Sequence, residues 1–203
     1  MSEGALFRDQ LGDSWSAVPL NVRARFDHDP VPGAVVSYRG VMSRVACSPA
    51  GKLLGWLLQR TGALMPHEGC DVPVEIEVWT DATTGAVHKR RTYRFANQRP
   101  FVFRSRMERQ ADGRLVEHVG GGFGMYVRVC ADPLGLRFRE GGYFLQLAGL
   151  RVPIPWLLGL GQVELVHADV DEAQFDVSIE IAHPLLGRLF SQAGRFRHAT
   201  SAA

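Results

Sequence analysis

Three side chains in this sequence carry the chemistry of proton transfer: His118, Glu164 and His167. His167 opens the run HADVD, which sets His167, Asp169 and Asp171 at every second position, on one face of a strand, with Glu164 just before them. An imidazole beside carboxylates is the pairing that general acid–base catalysis uses. A metal would need three or four converging ligands, and no second segment supplies them, so no metal site and no cofactor are expected. The same acidic run is also what a solvated hairpin turn requires. No GxSxG elbow accompanies the serines, and Cys47, Cys70 and Cys130 form neither a CxxC pair nor a Cys/His cluster. No catalytic residue is assigned, and His118, Glu164 and His167 stand as the acid–base alternative.

The run GGGFGMY (120–126) has the glycine density of a phosphate loop but lacks its lysine and hydroxyl, and no helix follows. It reads as a hairpin connection whose glycines supply positive φ. The cations are almost all arginine, with lysine only at Lys52 and Lys89. Arg90, Arg94, Arg104, Arg106, Arg128, Arg137 and Arg139 recur on successive strand-like segments at the parity opposite to the apolar residues. They form a basic stripe on one sheet face, with Glu108, Glu117 and Glu140 as cross-strand partners. From that stripe Arg104 and Arg106 are the candidates for holding the carboxylate or phosphate head of a ligand.

The most apolar run is RVPIPWLLGLG (151–161). Nine residues from Val152 to Leu160 cannot cross a bilayer, which takes about 20. Pro153 and Pro155 exclude a regular helix or a central strand and impose an extended segment. Such a segment either closes the end of a barrel or stands out as a binding patch. Trp56, Phe123, Met125, Tyr126, Pro153, Pro155, Trp156 and Leu157 are therefore the expected lining of a ligand mouth.

The elements that must position these residues are mostly strands. LFRDQLG is a short amphipathic turn, and Trp15, Val18, Val22 and Phe26 recur on one face of a following helix, within an N-terminal helical segment (1–30) stopped by DPVPG. A first strand begins near residue 34. A helix over 49–62 follows, with Ser48 as N-cap, Pro49 in its first turn, and Leu53, Leu54, Leu57 and Leu58 as its buried stripe. About nine or ten short strands in all, separated by turn signals, build an antiparallel body over 34–182, and 183–198 is a closing segment. The expected fold is α+β and mostly β: a strongly curved antiparallel sheet or incomplete β-barrel, capped by the N-terminal helices and the helix after the first strand. A length of 203 residues suits one domain.

An apolar content of 46% argues against disorder, and a net charge of +2 is too small to imply nucleic acid. The start MSEGALFRDQLG lacks a basic region followed by an apolar one, so no secretory signal is expected. With no disulfide framework, the expected setting is a reducing cytoplasm.

LFRDQLGDSWSAVPLNVRARFD, GRLVEHVGGGFGMYVRV, GLRVPIPWLLGLGQVE and FDVSIEIAHPLLGRLFSQAGRF together resemble the bacterial family called domain of unknown function 4166, over roughly Leu6 to Phe196. The resemblance implies an auxiliary or substrate-handling role near redox metabolism, with a reductase or epimerase-like protein as partner. It brings no catalytic residues to carry over. After Pro155, where that family would show a basic residue, this chain continues WLLGLG and becomes more lipophilic. The expected function is a non-enzymatic binder or carrier of a lipophilic small molecule, with or without an anionic head group. The alternatives are an enzyme acting on a hydrophobic substrate, and an accessory subunit docking to a reductase or, peripherally, to a membrane surface.

Overall fold

The structure is a computed structural model that describes residues 3–27, 34–58 and 62–199. The DPVPG break, the end of the 49–62 helix and the last residues of the tail fall at least partly outside the described residues.

Helix α1 (Glu3–Leu11) turns Leu6 and Phe7 inward and is followed, from Gly12, by a 3-10 segment over Gly12–Ala17. Helix α2 (Leu20–Phe26) begins only after Pro19. The single helical face expected from Trp15 to Phe26 is thus split, because proline cannot continue the preceding hydrogen bonds. Trp15, Val18 and Val22 are nevertheless all buried.

Strand β1 (Val36–Cys47) leads to helix α3 (Pro49–Leu57), where the Ser48 hydroxyl accepts from the Gly51 N–H at 3.1 Å. Half of the expected leucine stripe turns in: Leu54 and Leu58 pack, partly buried, against the core, whereas Leu53 and Leu57 are exposed, and so is Trp56. The fully buried positions of the helix are Gly51 and Gly55. A Cβ on Gly51 would lie 2.1 Å from the Leu189 carbonyl oxygen, and one on Gly55 would touch Pro66 at 3.0 Å. The two glycines, four residues apart, let the backbone approach so closely that Leu54 and Leu58 flank the contact and Leu53 and Leu57 are left outward.

The remaining chain supplies β2 (Gly69–Thr80), β3 (Val87–Tyr93), β4 (Phe101–Arg109), β5 (Leu115–His118), β6 (Phe123–Asp132), β7 (Gly135–Leu147), β8 (Leu150–Ile154), β9 (Gln162–Asp169), β10 (Gln174–His183) and β11 (Gly187–His198). Every pairing is antiparallel. The ring runs β1-β2-β3-β4-β5-β6-β7-β9-β10-β11 and back to β1. It is a closed barrel of ten strands, with β8 as an extra strand on β7. The segment 183–198 contributes the strand that closes the ring, with Tyr38 opposite His198 and Cys47 opposite Phe190.

Strand β7 spans two segments that read as separate strands around Gly141–Gly142. Its first half pairs β9 and its second half pairs β8. The glycine pair, with Gly142 at φ +113°, is a bend between two partners rather than a turn. Pro153 fits in β8 because that strand pairs only with β7.

Because consecutive strands alternate in direction, the barrel has two distinct poles. The connections 81–86, 110–114, 133–134 and 170–173 lie with α1 and α2 at one, the helix-capped pole. Helix α3 and the connections 94–100, 119–122, 148–149, 155–161 and 184–186 lie at the other, the α3 pole. Phe7 plugs the helix-capped pole, 5.2 Å from Phe26 and 5.1 Å from Phe138 between ring centroids. Leu64, Met65 and Leu160 are buried at the α3 pole.

Candidate functional site

The inward positions of the ten strands surround a lumen that keeps about 220 Å³ of open volume. Its wall is apolar through Met42, Phe103, Met107, Val127, Leu165 and Ile179, among others. Strand alternation decides which polar groups enter it. On β3 the inward set is Val87, Lys89, Arg91 and Tyr93, facing Met107, Ser105, Phe103 and Phe101 of β4.

Near the helix-capped pole the lumen's charges are neutralised. Lys89 ion-pairs with Glu3 of α1. Buried Arg25 of α2 bonds Asp169 at 2.9 Å and the Gln174 carbonyl at 2.9 Å, and its guanidinium lies 5.1 Å from the Phe175 ring. His167 stacks on Phe175 at 4.5 Å and meets Phe26 edge-on at 5.0 Å. Burial, reinforced by the Arg25 charge, pushes the His167 pKa down to about 3, so its ring is uncharged near neutral pH. Burial likewise pushes the Tyr38 hydroxyl well above its usual range.

Midway along the lumen Arg91 differs from these. Its guanidinium sits 5.4 Å from the Phe103 ring and donates to the Ser105 hydroxyl at 3.3 Å. It makes no ion pair with any carboxylate among the described residues, unlike Arg25 and Lys89. Glu117, on the lumen side of β5, is also without an ion pair among the described residues. Toward the α3 pole Tyr93 accepts from the buried Gln192 amide at 3.2 Å, and burial raises the tyrosine pKa.

The wall has a slot. The β4–β5 ladder starts only at Arg106 opposite His118, so Phe101–Ser105 pair on one side alone, with β3. Phe101, Phe103, Glu117, Val119 and Met125 line the lumen yet are only half-buried, which places the opening between the first half of β4 and the 119–123 connection. Gly121 and Gly122, at φ +66° and +78°, shape the far lip, as expected for a glycine-rich connection.

The residues singled out in the sequence divide between compartments. Phe123, Met125 and His167 line the lumen. Tyr126 lies outside at a bulge, 4.1 Å from the Arg114 guanidinium and 5.3 Å from Phe144. Arg104 and Arg106 alternate outward on β4, Arg106 pairing with Glu108 at 3.2 Å. His118 is on the same outer face, 3.1 Å from Glu108, and burial lowers its pKa despite that carboxylate. Glu164 points outward into ion pairs with Arg137 and Arg139. His118, Glu164 and His167 therefore do not converge. Trp56, Pro153, Pro155, Trp156 and Leu157 all stand at the α3 pole but face away from the lumen. The Leu157 carbonyl is held by His183 at 3.2 Å, which turns its side chain out, while Leu160 alone turns in. Among the described residues no three His, Cys, Asp or Glu side chains are grouped to hold a metal, and no helix is long and apolar enough to cross a membrane.

Arg91, Lys89 and Gln192 were not among the sequence candidates. The signal for the first two was the spacing Val87-x-Lys89-x-Arg91-x-Tyr93, which gives both cations the parity of flanking residues that pack inward.

A family model described as Domain of unknown function (DUF4166) matches residues 18–196. No curated protein matches the chain.

Proposed function

We propose that this chain, which belongs to the DUF4166 family, is a non-enzymatic binding or carrier protein for a lipophilic small molecule with an anionic head. The observation that carries the reading is the lumen: walled by the closed ring of strands, apolar over most of its wall, open through the slot beside β4, and provided with one arginine, Arg91, that no carboxylate of the described residues neutralises. A half-buried guanidinium in an apolar lumen without a counter-charge carries a desolvation cost, and a ligand carboxylate or phosphate placed between Arg91 and Ser105 would relieve it.

The size is informative. An apolar cavity of ~150 Å³ accepts benzene, so 220 Å³ takes about ten non-hydrogen atoms. A long acyl chain would have to leave the rest of its length in the slot beside β4. The favoured ligand is a compact apolar carboxylate or phosphate rather than a complete long-chain lipid.

Acid–base catalysis on a hydrophobic substrate has less support, because His118 and Glu164 face outward while His167 faces the lumen. The test is native mass spectrometry of the purified protein, followed by titration with apolar carboxylates of increasing chain length and with the matching alcohols. Saturable uptake with an optimum at medium length, and preference for the acid over the alcohol, is expected. No co-purifying small molecule together with no saturable uptake of either series would overturn the reading.

A further inference from the structure

The two poles of the barrel carry different chemistry. Among the described residues, sixteen large hydrophobic side chains are exposed, and eleven of them lie at the α3 pole. Three are on α3 (Leu53, Trp56, Leu57) and three on the β7–β8 hairpin (Leu147, Leu150, Val152). Three more follow β8 (Trp156, Leu157, Leu158), and two form the β10–β11 turn (Leu185, Leu186). The most prominent reach 77% exposure at Leu158, 73% at Leu185 and 72% at Leu150, with Trp156 at 65%. At the helix-capped pole each turn instead carries an aspartate that accepts from its backbone: Asp81 from Thr83, Asp112 from Arg114, Asp132 from Leu134 and Asp171 from Ala173, at 2.8 to 3.0 Å.

We propose that the α3 pole is a membrane-docking surface, which inserts Trp56, Trp156 and the leucine tips beside them into the interface of a lipid bilayer while the barrel stands outside it. Four separate segments supply the tips, and Pro155, Gly159, Pro184 and Gly187 break the chain around them. They form a rim of single projections, not a groove shaped for a helix or a strand. A fluid interface accepts such a rim without needing a complementary partner surface, and tryptophan is the residue most at home at that depth. Lys52 pairs with Glu68 at 2.8 Å and Arg188 with Glu180 at 3.5 Å, and among this pole's connections Arg99 is exposed with no ion pair among the described residues, one such cation beside eleven exposed apolar side chains. Docking therefore proceeds by apolar insertion and not by attraction to anionic lipid. The opposite pole, with a charged aspartate in every turn, is excluded from the bilayer, so the orientation is unique. This inference rests on the exposed rim and not on the lumen, so vesicle binding and ligand binding can fail separately.

The test is co-sedimentation of the full chain with phosphatidylcholine vesicles, with and without phosphatidylglycerol, at low and high salt, plus tryptophan quenching by bromine-labelled acyl chains. Binding to phosphatidylcholine alone, insensitive to salt, is expected, with quenching of the exposed tryptophans. Leu158→Asp and Leu185→Asp should each lower the partition by about tenfold, while Leu134→Asp, 63% exposed at the helix-capped pole, should leave it unchanged. The proposal is overturned by absence of binding and quenching with every vesicle, by binding only to anionic vesicles that salt abolishes, or by an equal loss in L134D. It is also overturned if sedimentation velocity shows a dimer that L158D and L185D dissolve, since a second copy would then cover the rim.

Discussion

Arg90 and Arg91 are neighbours in sequence with opposite fates. Arg90 points outward to Glu77, whose carboxyl its hydrogen bonds hold below the usual range, whereas Arg91 points inward to Ser105 and Phe103. A charge-assisted hydrogen bond contributes about 1.5–3 kcal/mol, so Arg91→Met should weaken binding of an apolar carboxylate by roughly 10- to 100-fold and leave the matching alcohol nearly unaffected. Glu117→Gln, which removes the other unpaired lumen charge, should strengthen carboxylate binding. Isothermal titration with the acid–alcohol pair measures both, and equal losses for acid and alcohol in R91M would show that Arg91 only packs. His167 leads to a second prediction. Its native pKa of about 3 lies well below that of an unfolded histidine, near 6.5, so the unfolded chain binds a proton that the native state refuses. The stability this contributes is complete above about pH 6.5 and is lost as pH falls toward 3. His167→Phe retains the stack on Phe175 and removes the proton uptake, so the loss of unfolding free energy between about pH 7 and pH 5 should be smaller in H167F. Equal losses would mean that other groups govern this range. The lumen histidine was legible as a residue of interest, but its isolation was not. HADVD shows the spacing of the three groups, and only the barrel shows that Asp169 is already engaged by Arg25 and Asn21.

Among the elements, β4 pairs on one side only over its first half, where it borders the slot. Phe101 is half-buried there, with the His67 ring 5.4 Å away. If the slot is the ligand's route, Phe101→Ala should raise association and dissociation rates together, by roughly threefold or more, with little change in their ratio. Stopped-flow fluorescence with an apolar carboxylate probe would read this, and a change in dissociation alone would place the entrance elsewhere. Most strands were legible because alternation is visible wherever one face is wet, as in Phe175, Val177, Ile179 and Ile181. The ring-closing strand β11 was not, because its inward set includes Gln192, whose amide is satisfied only by Tyr93 of a distant strand. The orientation of α3 was misread for a related reason. Leucine periodicity marks the apolar face of a helix, but Gly51 and Gly55 decide which face can come within contact of β11 and Pro66.

At the scale of the molecule, closure of the ring puts a requirement on the helices that the strands cannot meet. A closed barrel with an apolar lumen has two open ends, and water would enter an uncapped one. At the helix-capped pole the stopper is α1: Leu6 and Phe7 are fully buried, Trp15 nearly so, and Glu3 neutralises Lys89 inside the lumen. The family match begins at residue 18, after all four of these residues. A fragment 18–203 therefore keeps every strand and loses the stopper. Leu6 and Phe7 alone represent about 3–6 kcal/mol of apolar burial, against a typical total stability of 5–15 kcal/mol. The fragment also leaves Lys89 without its counter-charge and opens the lumen beside His167. Urea denaturation should show a lower midpoint than for the full chain by an amount matching several kcal/mol, and an apolar dye that fluoresces in exposed hydrophobic sites should give a stronger signal with the fragment than with the full chain. If the midpoints coincide and the dye signal equals that of the full chain, the strands seal that pole by themselves, and the first helix is an accessory to the barrel instead of part of its closure.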